Sequence, residues 1–184
     1  SQEGASRTDL CFNYNGNYKP VGQMQLNAER MRFAAFGYLN DSTKDTSSPQ
    51  NERYGGVLRA PMRYIGATAV DSNLNTIANS APEFDTATGV FKKNPLGASE
   101  GVSGVMNYLN QFGRTSVQLP NKAMGDLGGP NDNPTGNYKT YDPVSEMFYE
   151  SIRYLQFKQG PTPEAVSGLP NTAYSDNFPV YTKW

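Results

Sequence analysis

Thr140 and Asp142 stand just ahead of the most regular stretch of this chain, YKTYDPVSEMFYESIRYLQFKQGP (138–161). Both carry oxygens that a hard divalent cation can take, but such an ion wants about six, so these two candidate ligands do not make an assigned metal site. Asp142 is also a good helix N-cap. Its carboxylate can accept the unpaired amide hydrogens of a first turn that Pro143 opens, and capping is the first expectation for it. Glu146 and Glu150 lie one turn apart in the same stretch, with Arg153 three residues further on. Paired carboxylates are the starting point for acid–base chemistry, yet a solvated polar face explains this spacing fully, and no catalytic residue is assigned. Asp126, Asn131, Asp132 and Asn133 in DLGGPNDN offer further oxygens suited to calcium. They lack the alternating acidic positions and closing Glu of a calcium loop, so turn formation is their expected role. Cys11 is the only cysteine and there is no histidine, which leaves a Cys–His nucleophile without its base. GDLGG and GVSGV are glycine-rich, but neither has the strand–turn–helix setting and following Lys of a phosphate loop. No cofactor is expected in this chain.

The elements that would position these residues follow from periodicity. Val144, Phe148, Ser151/Ile152 and Leu155 recur at helical spacing and predict a helix over 143–158 with one apolar stripe, stopped by Gly160-Pro161. A second helix is predicted at 104–112, capped by Ser103, striped by Val105, Tyr108/Leu109 and Phe112, and ended by Gly113. PVGQMQLNAER, from Pro20, reads as a short helix with Val21, Met24, Ala28 and Met31 on one side. The almost continuously apolar MRFAAFGYL (31–39) predicts a strand buried on both faces, with Phe33 and Phe36 largely inside. VLRAPMRYIGA (57–67) is a second extended segment in which Pro61 argues for an edge or a bulge. Residues 68–100 read as mostly irregular, with a turn at Asp85-Thr86 before Gly89.

Composition narrows the function classes. At 184 residues the chain is one domain by length. Hydrophobic residues make up 36% and charged ones 18%, so its polarity comes from Asn, Ser, Thr and Gly, with 12 Tyr and 9 Phe supplying apolar surface. That is a loop-rich, aromatic-stapled style common outside cells. A net charge of −1 with no basic block argues against nucleic acid. The longest apolar run falls far short of the roughly 18 residues of a membrane span. No signal peptide is present, and the abrupt opening at Ser1 is consistent with removal of an upstream region.

The ordered set MRFAAFGYLNDSTKD, YGGVLRAPMRYIG, SGVMNYLNQFGR, YKTYDPVSEMFYESIRYLQ and DNFPVYTKW resembles the amino-terminal half of the PilY/PilC type IV pilus tip-associated proteins, which are adhesins and pilus-biogenesis factors. The resemblance runs from about Tyr18 to Trp184. It implies an α/β fold, an incomplete or elaborated von Willebrand A-like open sheet with flanking helices and long loop insertions. Residues 1–19 are then a polar N-terminal segment, and 20–184 a single von Willebrand A-like region with inserts at 41–55, 68–102 and 113–139. It further implies that MRFAAFGYL is an inner strand and that the 143–158 helix follows a threonine-bearing loop that can contribute to a metal-ion-dependent adhesion site. The chain departs from that pattern: Asp142, not Thr, precedes Pro143, Thr140 is two residues earlier, and the Asp-x-Ser-x-Ser strand and the later Asp strand are absent. A divalent cation, Mg or Ca, is therefore expected only in a longer protein. The family's propeller is also missing, so the chain reads as a fragment or resolved part of a larger protein, or else as a shortened relative.

The implied function is a non-enzymatic extracellular module of a pilus-tip adhesin or biogenesis factor. Its implied partners are minor pilus subunits, a host or abiotic surface, and the remainder of its own larger chain. Its implied place is the cell surface or pilus tip, reached through the periplasm. One alternative is a secreted carbohydrate-binding module or glycan-active enzyme, in which Tyr141, Tyr149, Tyr154 or Trp184 would stack on sugars. A glycosidase needs two carboxyls about 5–10 Å apart across a cleft, and the sequence marks no such pair. The second alternative is a self-assembling fibre or capsid subunit.

Overall fold

A computed structural model describes residues 10–37, 56–111, 144–166, 169, 175 and 178–184. The inserts expected at 41–55 and 113–139 lie outside the described residues, as do Phe112, Asp126, Asn131, Asp132, Asn133, Thr140, Tyr141 and Asp142. The described elements run β1 (Cys11–Tyr14), β2 (Asn17–Pro20), α1 (Gln23–Leu26), β3 (Phe33–Gly37), β4 (Val57–Arg63), β5 (Thr68–Val70), β6 (Thr76–Ala78), α2 (Val105–Gln111) and α3 (Val144–Leu155), with a 3₁₀ turn at Glu164–Val166. Helix and strand are mixed, as an α/β composition requires. The strands, however, form three two-stranded antiparallel sheets, β1–β2, β3–β4 and β5–β6, rather than an open sheet among the described residues.

Within the polar segment 1–19 the described residues form a hairpin, whose second strand ends at Pro20. Asn15 and Gly16 both hold positive φ, 49° and 90°, the backbone of the tight turn that an Asn-Gly pair favours. The Gly16 N–H also donates to Asn13 Oδ1 at 2.6 Å, closing the loop onto its own strand. Pairing of Tyr14 with Asn17 and Cys11 with Pro20 follows from that turn. The stretch from 68 to 100, read as mostly irregular, contains the β5–β6 hairpin. Asp71 Oδ1 accepts the N–H groups of Asn73 and Asn75 at 2.8 Å each, building the β5–β6 turn in which Leu74 sits at φ 65°. The turn expected at Asp85 is present, its carboxylate accepting the N–H groups of Ala87 and Thr88.

The β3–β4 pair is the centre of the fold, with α2 and α3 both packed on it. Register runs Phe33 with Arg63, Ala35 with Ala60, Phe36 with Leu58 and Gly37 with Val57, and shifts between the first three pairs. Pro61, which has no N–H to donate, sits where the ladder shifts. Around it Ala28, Ile65, Phe84 and Met106 form one core cluster, and Ala35, Ala60 and Val105 a second, joined through Met24 and Phe33. Phe33 and Phe36 are half-buried rather than largely buried, whereas Ala35 and Gly37 are the enclosed positions of β3. The reason is close helix approach: a Cβ at Gly37 would overlap the Tyr108 hydroxyl of α2, so small residues, not aromatics, occupy the tightest contact.

The C-terminal segment is clamped along β4. Tyr181 bridges Leu58 in antiparallel fashion, its N–H donating to the Leu58 carbonyl at 2.9 Å. Trp184 donates from its ring N–H to the Tyr181 carbonyl at 2.9 Å and meets Tyr154 and Phe36 edge-on at 5.5 and 6.1 Å between ring centres.

Helix α3 ends before the Gly160-Pro161 stop expected for it. The Lys158 N–H reaches back to the Arg153 carbonyl at 3.1 Å and the Phe157 N–H to Tyr154 at 3.0 Å, a Schellman closure. Phe157 occupies the left-handed position of that motif at φ 58°, where glycine is normally found. Phe157→Gly in the 184-residue chain is therefore expected to raise its stability by about 1 kcal/mol, since a bulky residue at positive φ carries about 1–2 kcal/mol of strain. A denaturant titration checks this, and a lower midpoint in the variant would contradict it.

Candidate functional site

The two carboxylates singled out by spacing, Glu146 and Glu150, have different surroundings. Glu146 is exposed and accepts the Ser145 hydroxyl at 2.7 Å. Glu150 is only 1% exposed, so the solvated polar face expected for the pair is corrected: one member lies inside. Its two oxygens accept the Thr162 N–H at 3.2 and 3.3 Å, and the Arg153 guanidinium lies 3.5 Å away. Arg153 in turn donates to the Gly160 carbonyl at 3.0 Å, so this ion pair fastens the chain that leaves α3 back onto the helix. A carboxylate held by a backbone amide and a guanidinium anchors the turn that follows the helix.

The carboxylate that the sequence did not mark is Glu83. It is fully buried, and its Oε1 and Oε2 accept the N–H groups of Val105 and Met106 at 3.0 and 2.8 Å. These are orphan donors at the start of α2, which Ser103 was expected to cap. Ser103 is turned elsewhere, donating to Asn94 Oδ1 at 2.6 Å and accepting the Leu96 N–H at 2.9 Å. The exchange is possible because Gly104, at φ 97°, has no side chain; a Cβ there would come within 2.8 Å of the Glu83 carboxyl carbon. Asn107 completes the network by donating to the carbonyls of Lys92, Lys93 and Ser103. Burial pushes the Glu83 carboxyl above the ordinary glutamate range, against the opposing pull of the Met106 and Val105 amides and of Arg63. The Tyr181 phenol is pushed up as well, by burial first and then by Glu100, with Arg63 opposing and Glu83 adding to it. The sequence carried no signal for this distant cap, because Ser103 offered a local acceptor beside the start of the helix.

Among the described residues no group of three or more His, Cys, Asp or Glu is placed to hold a metal ion. Cys11 is half-buried in β1 and unpaired. No described helix is long and apolar enough to cross a membrane. Of the aromatic residues considered for sugar stacking, Tyr154 and Trp184 pack edge-on against each other and against Phe36. The Tyr154 hydroxyl also accepts the Met62 N–H at 2.9 Å. Tyr149 is exposed, with the Arg153 guanidinium 5.8 Å from its ring centre.

The feature left over is the outer side of α3. The apolar stripe of Val144, Phe148 and Leu155 is 58%, 65% and 59% exposed, while Glu150, Tyr154 and Met147 supply the inward side. Gly56 makes the close approach on that inward side, its missing Cβ leaving room for Met147. Periodicity predicted the stripe but not which way it faces. It points outward because the inward side is fixed by polar anchors, the Glu150–Thr162 and Tyr154–Met62 hydrogen bonds, which outweigh the periodicity. Exposed apolar side chains at these positions give the helix area with which another surface could make contact.

Residues 46–179 match the family described as "PilY1 homolog, second domain". The chain belongs to this family. It is also 32% identical over 190 residues to the type IV pilus biogenesis factor PilY1 homolog of Xylella fastidiosa (strain Temecula1). That alignment covers 95% of this chain but 14% of the relative, so the chain spans only a small part of the length of the PilY1 homolog it matches. No solved structure matches. The family expected from the ordered segments is thus the family found, and the match takes in β4 to β6, α2 and α3 together.

Proposed function

We propose that this chain is a non-enzymatic domain of a type IV pilus biogenesis factor that works by protein contact at the cell surface or pilus tip. The observation that carries the proposal is the match of residues 46–179 to the PilY1 homolog second domain, supported by identity to a named pilus biogenesis factor across 95% of the chain. The geometry supports a contact role in two ways. The buried carboxylates Glu83 and Glu150 are engaged by backbone amides, and the amphipathic helix α3 turns its apolar side out. Within this reading β3 and β4 are part of a von Willebrand A-like sheet, and the domain contributes to adhesion or to assembly with minor pilus subunits. The role uses no cofactor.

The test is genetic and cell-based. In-frame removal of this domain from the bacterium that carries it is expected to reduce surface pili and attachment together, with both restored when the domain is returned. Full piliation and full attachment without the domain would defeat the proposal. Purified protein is expected to leave a panel of glycans and peptides unhydrolysed; turnover abolished by one Asp or Glu substitution would replace the contact role with an enzymatic one.

A further inference from the structure

We propose that the tip of the first hairpin is a site of spontaneous modification, where Asn15 converts through a cyclic imide to aspartate and isoaspartate at a rate set by Asn13. This chemistry is independent of the pilus role. Asn15-Gly16 is the single Asn-Gly pair of the chain. In such a pair the backbone nitrogen after asparagine carries no side chain beside it, which leaves its path to the asparagine amide carbon open. The fold keeps the pair in water: Asn15 and Gly16 are both exposed, and a Cβ on Gly16 would meet nothing within 4 Å.

The reaction needs only water. The Gly16 nitrogen loses its proton to hydroxide and attacks Asn15 Cγ. The new N–Cγ bond closes a five-membered ring, the Cγ–Nδ2 bond breaks, and ammonia leaves with a proton from water, returning the hydroxide. Water then opens the imide on either side. Breaking the bond from nitrogen to Cγ gives aspartate, and breaking the bond to the main-chain carbonyl carbon gives isoaspartate.

Asn13 gates the first step. Its Oδ1 accepts the Gly16 N–H at 2.6 Å. That bond must break before the nitrogen ionises, because an anionic nitrogen at this distance would face the lone pairs of the oxygen. Asn13 is itself held in β1, opposite Tyr18. The two products also differ in what the hairpin absorbs. Aspartate keeps the backbone and tolerates the positive φ of 49° at this position. Isoaspartate adds a backbone carbon to a two-residue turn, which then no longer closes Tyr14 onto Asn17 in register. Tyr14 is 5% exposed, its ring 2.7 Å from where a Cβ on Gly89 would stand, so opening of the hairpin uncovers it.

Asn79-Ser80 supplies the contrast, an asparagine again followed by a small residue. Asn79 Nδ2 donates to the Tyr64 and Gly66 carbonyls at 2.9 and 2.7 Å, and its Oδ1 accepts the Ala81 N–H at 3.1 Å. Its amide is held on both sides and serves as the internal reference.

Peptide mapping of the full polypeptide that carries this domain, sampled during incubation at mildly alkaline pH, reads both products when fragmentation separates aspartate from isoaspartate. Asn13→Ala is expected to convert at Asn15 about fivefold faster than wild type, the effect of losing one hydrogen bond. Asn13→Asp is expected to convert more slowly than wild type, because a carboxylate holds the Gly16 N–H more tightly. In urea the three proteins are expected to convert at closely similar rates, since the gate belongs to the fold. Molecules that have gained isoaspartate are expected to lose amide-exchange protection across Cys11–Pro20. An intact Asn15 in folded Asn13→Ala, over a time in which the urea samples convert, would overturn the site. Equal rates in the three folded proteins would overturn the gate, and retained protection across the hairpin would overturn its opening. Conversion of Asn79 in step with Asn15 in the wild type would assign the reaction to unfolded chain and overturn the proposal too.

Discussion

Glu83→Ala is expected to be among the most damaging single changes in the protein. It strands the N–H groups of Val105 and Met106 in the interior, and each buried donor without a partner costs about 1–3 kcal/mol. It also removes the carboxylate that Arg63 faces. Together these are a large share of the about 5–15 kcal/mol that holds a domain folded. Water cannot easily repair the loss, because Glu83 is fully enclosed and lies against the Gly104 backbone. Glu83→Gln keeps the volume but points an amide group at one of the two donors, so it should lie between wild type and alanine. The pH dependence of that pair isolates the titration. The folded carboxyl lies above its ordinary value of 4.5, mainly because of burial. The folded state thus holds the proton more tightly than the unfolded state. The stability this group contributes is complete below the unfolded value and is lost as pH rises through the folded one. The Tm of wild type minus that of Glu83→Gln, measured from about pH 4 to pH 8, should therefore fall as pH rises. Asp71 and Asp85, whose backbone hydrogen bonds lower their carboxyls, act in the opposite sense but are common to both proteins and cancel. A flat or rising difference would show that Glu83 is ionised at no cost in the fold.

The sequence made elements legible and left their orientation hidden. β3 was read at 31–39 and spans Phe33–Gly37; α3 was read at 143–158 and spans Val144–Leu155. Such runs depend on local periodicity, which is written in consecutive residues. Which way a striped helix turns depends on what its other side binds. Burial of Glu150 is fixed by the Thr162 amide, beyond the helix itself, so periodicity placed Val144, Phe148 and Leu155 on one face but could not say that the face points out. Glu83 was hidden for the same reason. It reaches Val105 across 22 positions, and nothing in PEFDT distinguishes it from a surface acid. The hairpin at Asn15-Gly16 is different, since its turn chemistry is local and readable, yet the polar composition of 1–19 masked it. The family resemblance, carried by several segments in order, was recovered by the match across 46–179.

Arg59→Leu is expected to release the C-terminal segment from β4 and to cost about 3 kcal/mol, the scale of losing hydrogen bonds made by a charged group. Arg59 is 2% exposed in the middle of β4. Its Nη1 donates to the carbonyls of Ser175 and Phe178 at 2.9 and 3.2 Å, and its guanidinium lies 5.7 Å from the Tyr108 ring centre. Tyr108 also meets the Phe178 ring at 5.2 Å, so one arginine ties α2, β4 and the terminal segment together. Leucine fills much of the space but gives those carbonyls no donor. The segment can rehydrate them only by leaving the sheet, which breaks the Tyr181–Leu58 bridge. Trp184 would then move away from Phe36 and Tyr154. Since it is the chain's single tryptophan, its emission reports that movement without ambiguity, and a shift to longer wavelength is expected together with faster proteolysis after residue 175. Arg59→Lys, which keeps the charge but not the planar fork, should fall between the two. Unchanged emission and an unchanged Tm in Arg59→Leu would mean that packing around Phe178 and Val180 holds the segment by itself, and that the buried arginine contributes no net stability.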